Sequence, residues 1–188
     1  MKPQSLLIYF LVLTVLTASM CKKKPVDPID QLPPETQTGA NTFGCLVNGE
    51  VLLPKGSSLS GPNLACIYQY LITGTPAGYT FALGATDKKD PCNIKTVGFG
   101  FDSVVMKRGI YLLRLRKNGQ GGGAVRMGMC NMTSNNFDTN ESITGELNLK
   151  NFDEANQVAS GTFWFNAINS NGDTIKVTNG RFDVHYTR

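Results

Sequence analysis

Between Phe43 and Tyr186 the chain is divided into eleven short apolar runs, each bounded by Gly, Asn, Asp, Ser or Thr, and in none do apolar residues recur at helical spacing. Runs of about four to eight residues are strand-sized and too short for packed helices, so this region is expected to be all-β. FGCLV and EVLLP flank Asn48-Gly49, a dipeptide suited to the two positive-φ positions of a type I′ hairpin turn. LACIYQYLIT and YTFALGA flank GTPAG; IKTVGFGF, GIYLLRLRK, AVRMGMC, SITGELNLK, VASGTFWFNAI, DTIKVT and RFDVHY complete the set. With 188 residues, 41% of them hydrophobic, there is material for one core and not for two. The expected fold is a single antiparallel β-sandwich of roughly 10 strands over residues 43–188, with a β-barrel as the alternative.

Alternation assigns the faces. Phe182, Val184 and Tyr186 should point inward, and Arg181, Asp183 and His185 outward. In TFWFN the same rule sends Phe163 and Phe165 into the core and Trp164 out, while Ile143, Leu147 and Leu149 oppose Thr144, Glu146 and Lys150.

The N-terminus follows a different rule. Met1-Lys2 is positive, Leu6 to Leu16 is apolar apart from Thr14 and the Tyr9 hydroxyl, and small residues Thr17, Ala18 and Ser19 follow. A membrane span needs roughly 20 apolar residues, and Leu6 to Met20 supplies only fifteen. Residues 1–20 therefore read as a removable export signal. LTASMC resembles a bacterial lipobox, with Met20 where Gly, Ala or Ser is usual. That resemblance implies that Cys21 becomes the mature N-terminus and is lipidated on sulfur and amine; a plain secretory signal cut near Ala18 is the alternative. Each buried CH₂ contributes about 0.8 kcal/mol, so two or more acyl chains hold stably where one does not. The expected address is the bacterial cell envelope, lipid-anchored in the outer membrane and facing the periplasm or the exterior.

Residues 22–42 carry four prolines and few apolar side chains. They are expected to form a flexible tether, reaching roughly 65 Å at about 3.1 Å per residue. Lys22, Lys23 and Lys24 lie where they can meet lipid headgroups, each adding about 1 kcal/mol at an anionic surface.

Chemistry-bearing motifs are sparse. Cys45, Cys66, Cys92 and Cys130 permit two disulfides in an exported domain, with three connectivities, or four separate buried thiols. No CxxC spacing occurs and there is one His, so no metal site or cofactor is expected. His185 has Asp183 on the same strand face, but no GxSxG elbow accompanies them, and no catalytic residue is assigned. NGQGGGAVRMG lacks the GK[ST] end of a P-loop and is expected to be a flexible hairpin loop; NSNGDT reads as a turn with too little charge for calcium.

Charge is segregated. From residue 43 onward there are 14 basic and 11 acidic side chains, yet no acid stands between Asp102 and Asp138, where Lys107, Arg108, Arg114, Arg116, Lys117 and Arg126 all fall. If GIYLLRLRK and AVRMGMC form a hairpin, matching apolar faces sets Leu115 opposite Met127 and Arg116 opposite Arg126, a repulsive pair. Carboxylates from other strands, solvent, or an anionic ligand must then balance them. Guanidinium forks suit carboxylate and phosphate, which points to an anionic glycan.

TQTGANTFGCLVNGEV near the start and ASGTFWFNAINSNGDTIKVTNGRFDVHY at the end resemble a family of Bacteroidota lipoproteins catalogued only as a domain of unknown function. The resemblance implies an exported, lipid-anchored, all-β protein and transfers no catalytic residue. The expectation is a non-catalytic module that binds a glycan or an envelope protein through Arg114, Arg116, Arg126 or Trp164, with no nucleic-acid partner. A carboxylate-dependent hydrolase is the alternative; it requires two of Asp87, Asp90, Asp102, Glu146, Asp153 and Asp183 in one cleft.

Overall fold

The computed structural model describes residues 26–188 except 58, 60, 73–76, 118 and 130–133. The export signal, Cys21, Lys22, Lys23, Lys24 and Cys130 lie outside the described residues. Twelve strands run in chain order: β1 (Thr42–Val47), β2 (Glu50–Leu52), β3 (Lys55–Gly56), β4 (Leu64–Leu71), β5 (Gly78–Lys88), β6 (Asn93–Phe101), β7 (Gly109–Leu113), β8 (Gly121–Met129), β9 (Ser134–Asp138), β10 (Gly145–Asp153), β11 (Val158–Ile168) and β12 (Thr174–His185). Among the described residues the only helical element is a 3-10 turn at Pro28–Gln31, and no helix is long and apolar enough to cross a membrane.

The strands form two walls. One has the order β2-β1-β12-β11-β10-β7; the other joins β8, β6 and β5, with β4 and β3 on the far side of β5 and β9 beside β8. Pairing is antiparallel except for three short parallel contacts, β3 with β5, β7 with β8, and an isolated bridge between Ile67 of β4 and Thr187 just past β12. The walls meet where Leu113 pairs Gly121 and where Ile168 pairs Asp138, closing β11-β10-β7-β8-β9 into a five-strand circuit. The protein is thus an all-β sandwich that includes a closed barrel-like circuit. DTIKVT and RFDVHY, read as two runs, are one continuous β12, and the short β3 and polar β9 carry no apolar run to announce them.

Phenylalanines from both walls fill the space between them. Phe99 of β6 meets Phe163 of β11 at 5.0 Å and Phe182 of β12 at 5.7 Å, and Phe163 meets Phe43 of β1 at 5.4 Å. Such ring pairs add about 0.5–1.5 kcal/mol each beyond the area they bury. Phe182, Val184, Tyr186, Phe163, Phe165, Leu147 and Leu149 are all buried, as their alternation requires. Asn48 and Gly49 stand at φ 49° and 85°, the two left-handed positions of the expected hairpin turn.

Three expectations are overturned. Gly121, Gly122 and Gly123 belong to strand β8 and not to a flexible loop. A Cβ at Gly121 would strike the Phe101 ring, one at Gly123 would stand 2.8 Å from the Phe165 ring, and one at Gly122 would meet the Arg114 carbonyl at 2.8 Å. Close approach, not mobility, requires these glycines.

The second correction concerns the tether. Residues 32–41 are packed against the domain: Leu32 is buried, Arg181 Nη1 donates to the Pro33 carbonyl at 3.2 Å, and Lys150 pairs with Glu35. A Cβ on Gly44 would stand 2.6 Å from Pro33 Cδ, so the strand beneath is shaped for this segment. We call residues 32–41 the strap. Residues 22–31 separate it from Cys21.

Third, Cys45 and Cys66 are free, buried thiols, so the domain does not hold two disulfides. Burial pushes both thiols far above the ordinary cysteine range, which leaves them inert core side chains. Cys92 is disulfide-bonded, and with those two free its partner lies outside the described residues.

Candidate functional site

A concavity of about 490 Å³ lies on the outer face of β4, β5, β6 and β8. Two adjacent rows cross its floor. One is Ile67, Ala82, Gly100 and Gly122; the other is Ala65, Gly84, Gly98 and Ala124. The inward residues between them, such as Cys66, Leu83 and Phe99, anchor the sheet in the core and leave these small side chains outside. Four strands at about 4.8 Å spacing make a floor roughly 15 Å long. Nothing lies within 4 Å of the point where a Cβ on Gly84 would stand, so the groove is open there.

One side of the groove is built by the chain after β7. The strand ends at Leu113, Arg114 N donates to the Gly121 carbonyl at 2.7 Å, and Thr139 donates its hydroxyl to the Arg114 carbonyl. The chain then folds over the outer face, which leaves Leu115 44% exposed instead of buried. Arg116 is gripped by Asp102, with Nε and Nη2 each donating to a carboxylate oxygen at 2.8 Å. The third nitrogen, Nη1, lies 2.7 Å from where a Cβ on Gly100 would stand, over the groove floor. A bidentate carboxylate therefore fixes the fork and leaves one donor aimed into the groove.

Arg126 closes the opposite side, donating to Asp138 at 2.6 Å and to the Phe137 carbonyl at 2.8 Å. The expected hairpin between the runs carrying these arginines does not form: β7 pairs along β10, and Arg126 stands opposite Thr96 and Asn136. Asp102 and Asp138, the acids that bracket the acid-free stretch in sequence, are the partners of two of its arginines in space. Lys117 likewise pairs with Glu141 at 2.7 Å. Arg116 and Arg126 thus share the groove as electrically compensated pairs, while Arg114 is exposed and does not line it.

Trp164 is not part of this groove. It points outward from the other wall, 45% exposed, in a separate cleft of about 320 Å³ that also holds Glu146 and Glu35. A third concavity is lined by Tyr70 and Tyr79, in edge contact at 5.3 Å, with Arg188 and Glu154 beside them.

The carboxylates named for hydrolysis are dispersed. Asp87, Asp90 and Asp153 accept backbone amides of Lys89, Cys92 and Ala155 as turn caps. Asp183, expected on the exposed face beside His185, is fully buried because the strap covers it. Its oxygens accept from the Thr36 hydroxyl at 2.6 Å and from the amides of Thr38, Gly39 and Ala40 at 2.9, 2.7 and 3.2 Å. None of the three described concavities holds two of the six named acids. In the turn at residues 169–173, Asn169 bonds Asn171 and Asp173, and no metal-sized cluster of His, Cys, Asp or Glu occurs among the described residues.

Fold and surface together define a β-sandwich domain with a glycine-floored groove on one wall and a tryptophan cleft on the other. Comparison with protein-family models, curated proteins and solved structures finds no match.

Proposed function

We propose that this is a lipid-anchored envelope protein whose sandwich domain is a non-catalytic glycan-binding module, with a sugar chain lying along the Gly84 groove. The observation that carries the reading is the groove itself: a floor of glycine and alanine across four strands, with polar groups confined to its sides. A broad, mostly apolar depression with a few converging polar groups is the default form of a ligand site. The C–H faces of pyranose rings fit such a floor, while Arg116 Nη1 donates to hydroxyls and Asp138 accepts from them. The Asp102 and Asp138 pairings remove the net positive charge that a polyanion would need, so the preferred chain is neutral. Dispersal of the carboxylates supports binding over hydrolysis. The likeness to Bacteroidota lipoproteins and the short apolar run ending at Cys21 support the envelope address.

Affinity electrophoresis of the mature protein through gels containing soluble neutral or acidic polysaccharides tests the groove. The wild type should be retarded by a neutral polymer, and raising salt from about 0.1 M to about 1 M should leave that retardation in place. Gly84→Phe places a ring on an outward strand position where no atom obstructs it, so the variant should fold and lose retardation at least tenfold. Equal retardation of wild type and variant, or binding confined to acidic polymers at low salt, contradicts the reading. The anchor has its own readout: Cys21→Ser should move the protein from the membrane fraction to the soluble envelope fraction.

A further inference from the structure

We propose that the Trp164 cleft is a second, independent carbohydrate site, taking a single pyranose ring on the indole. It rests on the opposite wall from the groove and on different observations.

Trp164 sits on the outer face of β11 with Glu146 of β10 as its direct cross-strand partner. On its other side the β11–β12 ladder is interrupted: Phe163 pairs Gly180 and Phe165 pairs Val177, so two residues of β12, Thr178 and Asn179, oppose Trp164 alone. One of them, Asn179, stands at φ 52°, a left-handed conformation that is uncommon for any residue but glycine, and it lines the cleft. Bulges re-aim side chains, and left-handed backbone at a non-glycine residue gathers where geometry serves a site.

Four side chains around the indole are unengaged. Glu146, Asn148, Thr162 and Asn179 line the cleft, and no hydrogen bond or ion pair joins their side chains to any described residue. That contrasts with the arginines of the groove, each held by a carboxylate. Carboxylate, amide and hydroxyl groups set about a flat aromatic face provide acceptors and donors for sugar hydroxyls, while the ring's C–H face lies on the indole.

The strap supplies the last wall. Glu35 lines the cleft through its ion pair with Lys150, and Arg181, whose Nη1 is held by the Pro33 carbonyl, closes the strap side. Glu35 is committed to that lysine, which leaves Glu146 as the one free carboxylate beside the ring. An acid-base pair is therefore not assembled, and the site binds without cleaving.

Trp164 is the sole tryptophan, so its emission reports the cleft directly. The mature protein, in a detergent without a sugar headgroup, is titrated with methyl glycosides of glucose, galactose, mannose, N-acetylglucosamine and glucuronic acid, with glycerol as the control. At least one glycoside should change the emission saturably at a Kd of about 1–10 mM, as single-ring contacts do, and glycerol should not. Asn179→Gly keeps the left-handed backbone comfortable while removing the amide, and Glu146→Gln removes the charge; each should weaken the response about tenfold without lowering the melting temperature. Gly84→Phe should leave the response unchanged, which separates this site from the groove. No saturable change with any glycoside, the same change in Asn179→Gly and Glu146→Gln as in wild type, or its loss in Gly84→Phe would each overturn the proposal.

Discussion

Asp183→Ala is expected to destabilise the protein by about 2–4 kcal/mol, lowering its melting temperature by roughly 5–15 °C, and to expose the strap to protease. One buried carboxylate collects the Thr36 hydroxyl and three consecutive amides, Thr38, Gly39 and Ala40. Without it those donors face a cavity, and the cheapest relaxation is for the strap to lift. Burial alone pushes the Asp183 pKa up, but the hydrogen bonds from Thr36, Thr38, Gly39 and Ala40 outweigh it, and the net position is below the ordinary carboxylate value. A carboxyl depressed in the folded state contributes stability that is complete above its unfolded pKa of about 3.9 and is lost as pH falls through the folded value. Melting curves between about pH 6 and pH 2 should therefore show a decline below about pH 4 that Asp183→Asn flattens. An alanine variant that melts within about 1 °C of wild type would show that the strap is not held this way.

Gly145→Val should be the most damaging glycine substitution, costing about 3 kcal/mol or preventing folding outright. Gly145 pairs with Phe165 on one side and Leu113 on the other. A Cβ there would run into Phe165 and the backbone carbonyl of Trp164, neither of which can swing away as a side-chain tip could. Gly84→Val is the control: the same change on the same kind of strand, with nothing within 4 Å of the new Cβ, should be neutral or stabilise by about 0.5–1 kcal/mol. Chemical denaturation of the two variants side by side checks the pair. Equal loss in both would mean that these glycines act through chain entropy and not through space.

Strands and their faces were readable because alternation is a local property. Phe182, Val184 and Tyr186 go in, Trp164 goes out, and Asn48-Gly49 turns the first hairpin, each decided by residues within a few positions. What escaped was every feature set by a distant segment. Alternation places Asp183 outward correctly, but its burial comes from Thr36 to Ala40, more than a hundred residues earlier. The arginine repulsion dissolves because β7 pairs β10, a strand some thirty residues on, and because the chain after Leu113 folds over the sheet to bring Arg116 to Asp102. The glycines read as a loop were misjudged for the same reason: the rings of Phe101 and Phe165 that exclude a Cβ belong to β6 and β11. Of the residues put forward for binding, Arg116 and Arg126 share the groove, Arg114 stands outside it, and Trp164 occupies the far wall. The groove itself had one faint sequence mark, the alternation of glycine and alanine with large apolar residues in FALGA, GFGF and GGGAV.

The most direct measurement is an amide spectrum of the isotopically labelled mature protein, recorded while oligosaccharides from the retarding polysaccharide are added. Ala82, Gly84, Gly98 and Ala124, which alternate along neighbouring strands with core-facing residues and line the groove, should move together and saturate, while Gly121, Gly123 and Gly145, packed against Phe101 and Phe165 inside, stay in place. Shifts confined to other surfaces, with the four groove amides unmoved at saturation, would contradict the assignment of the groove as the ligand site.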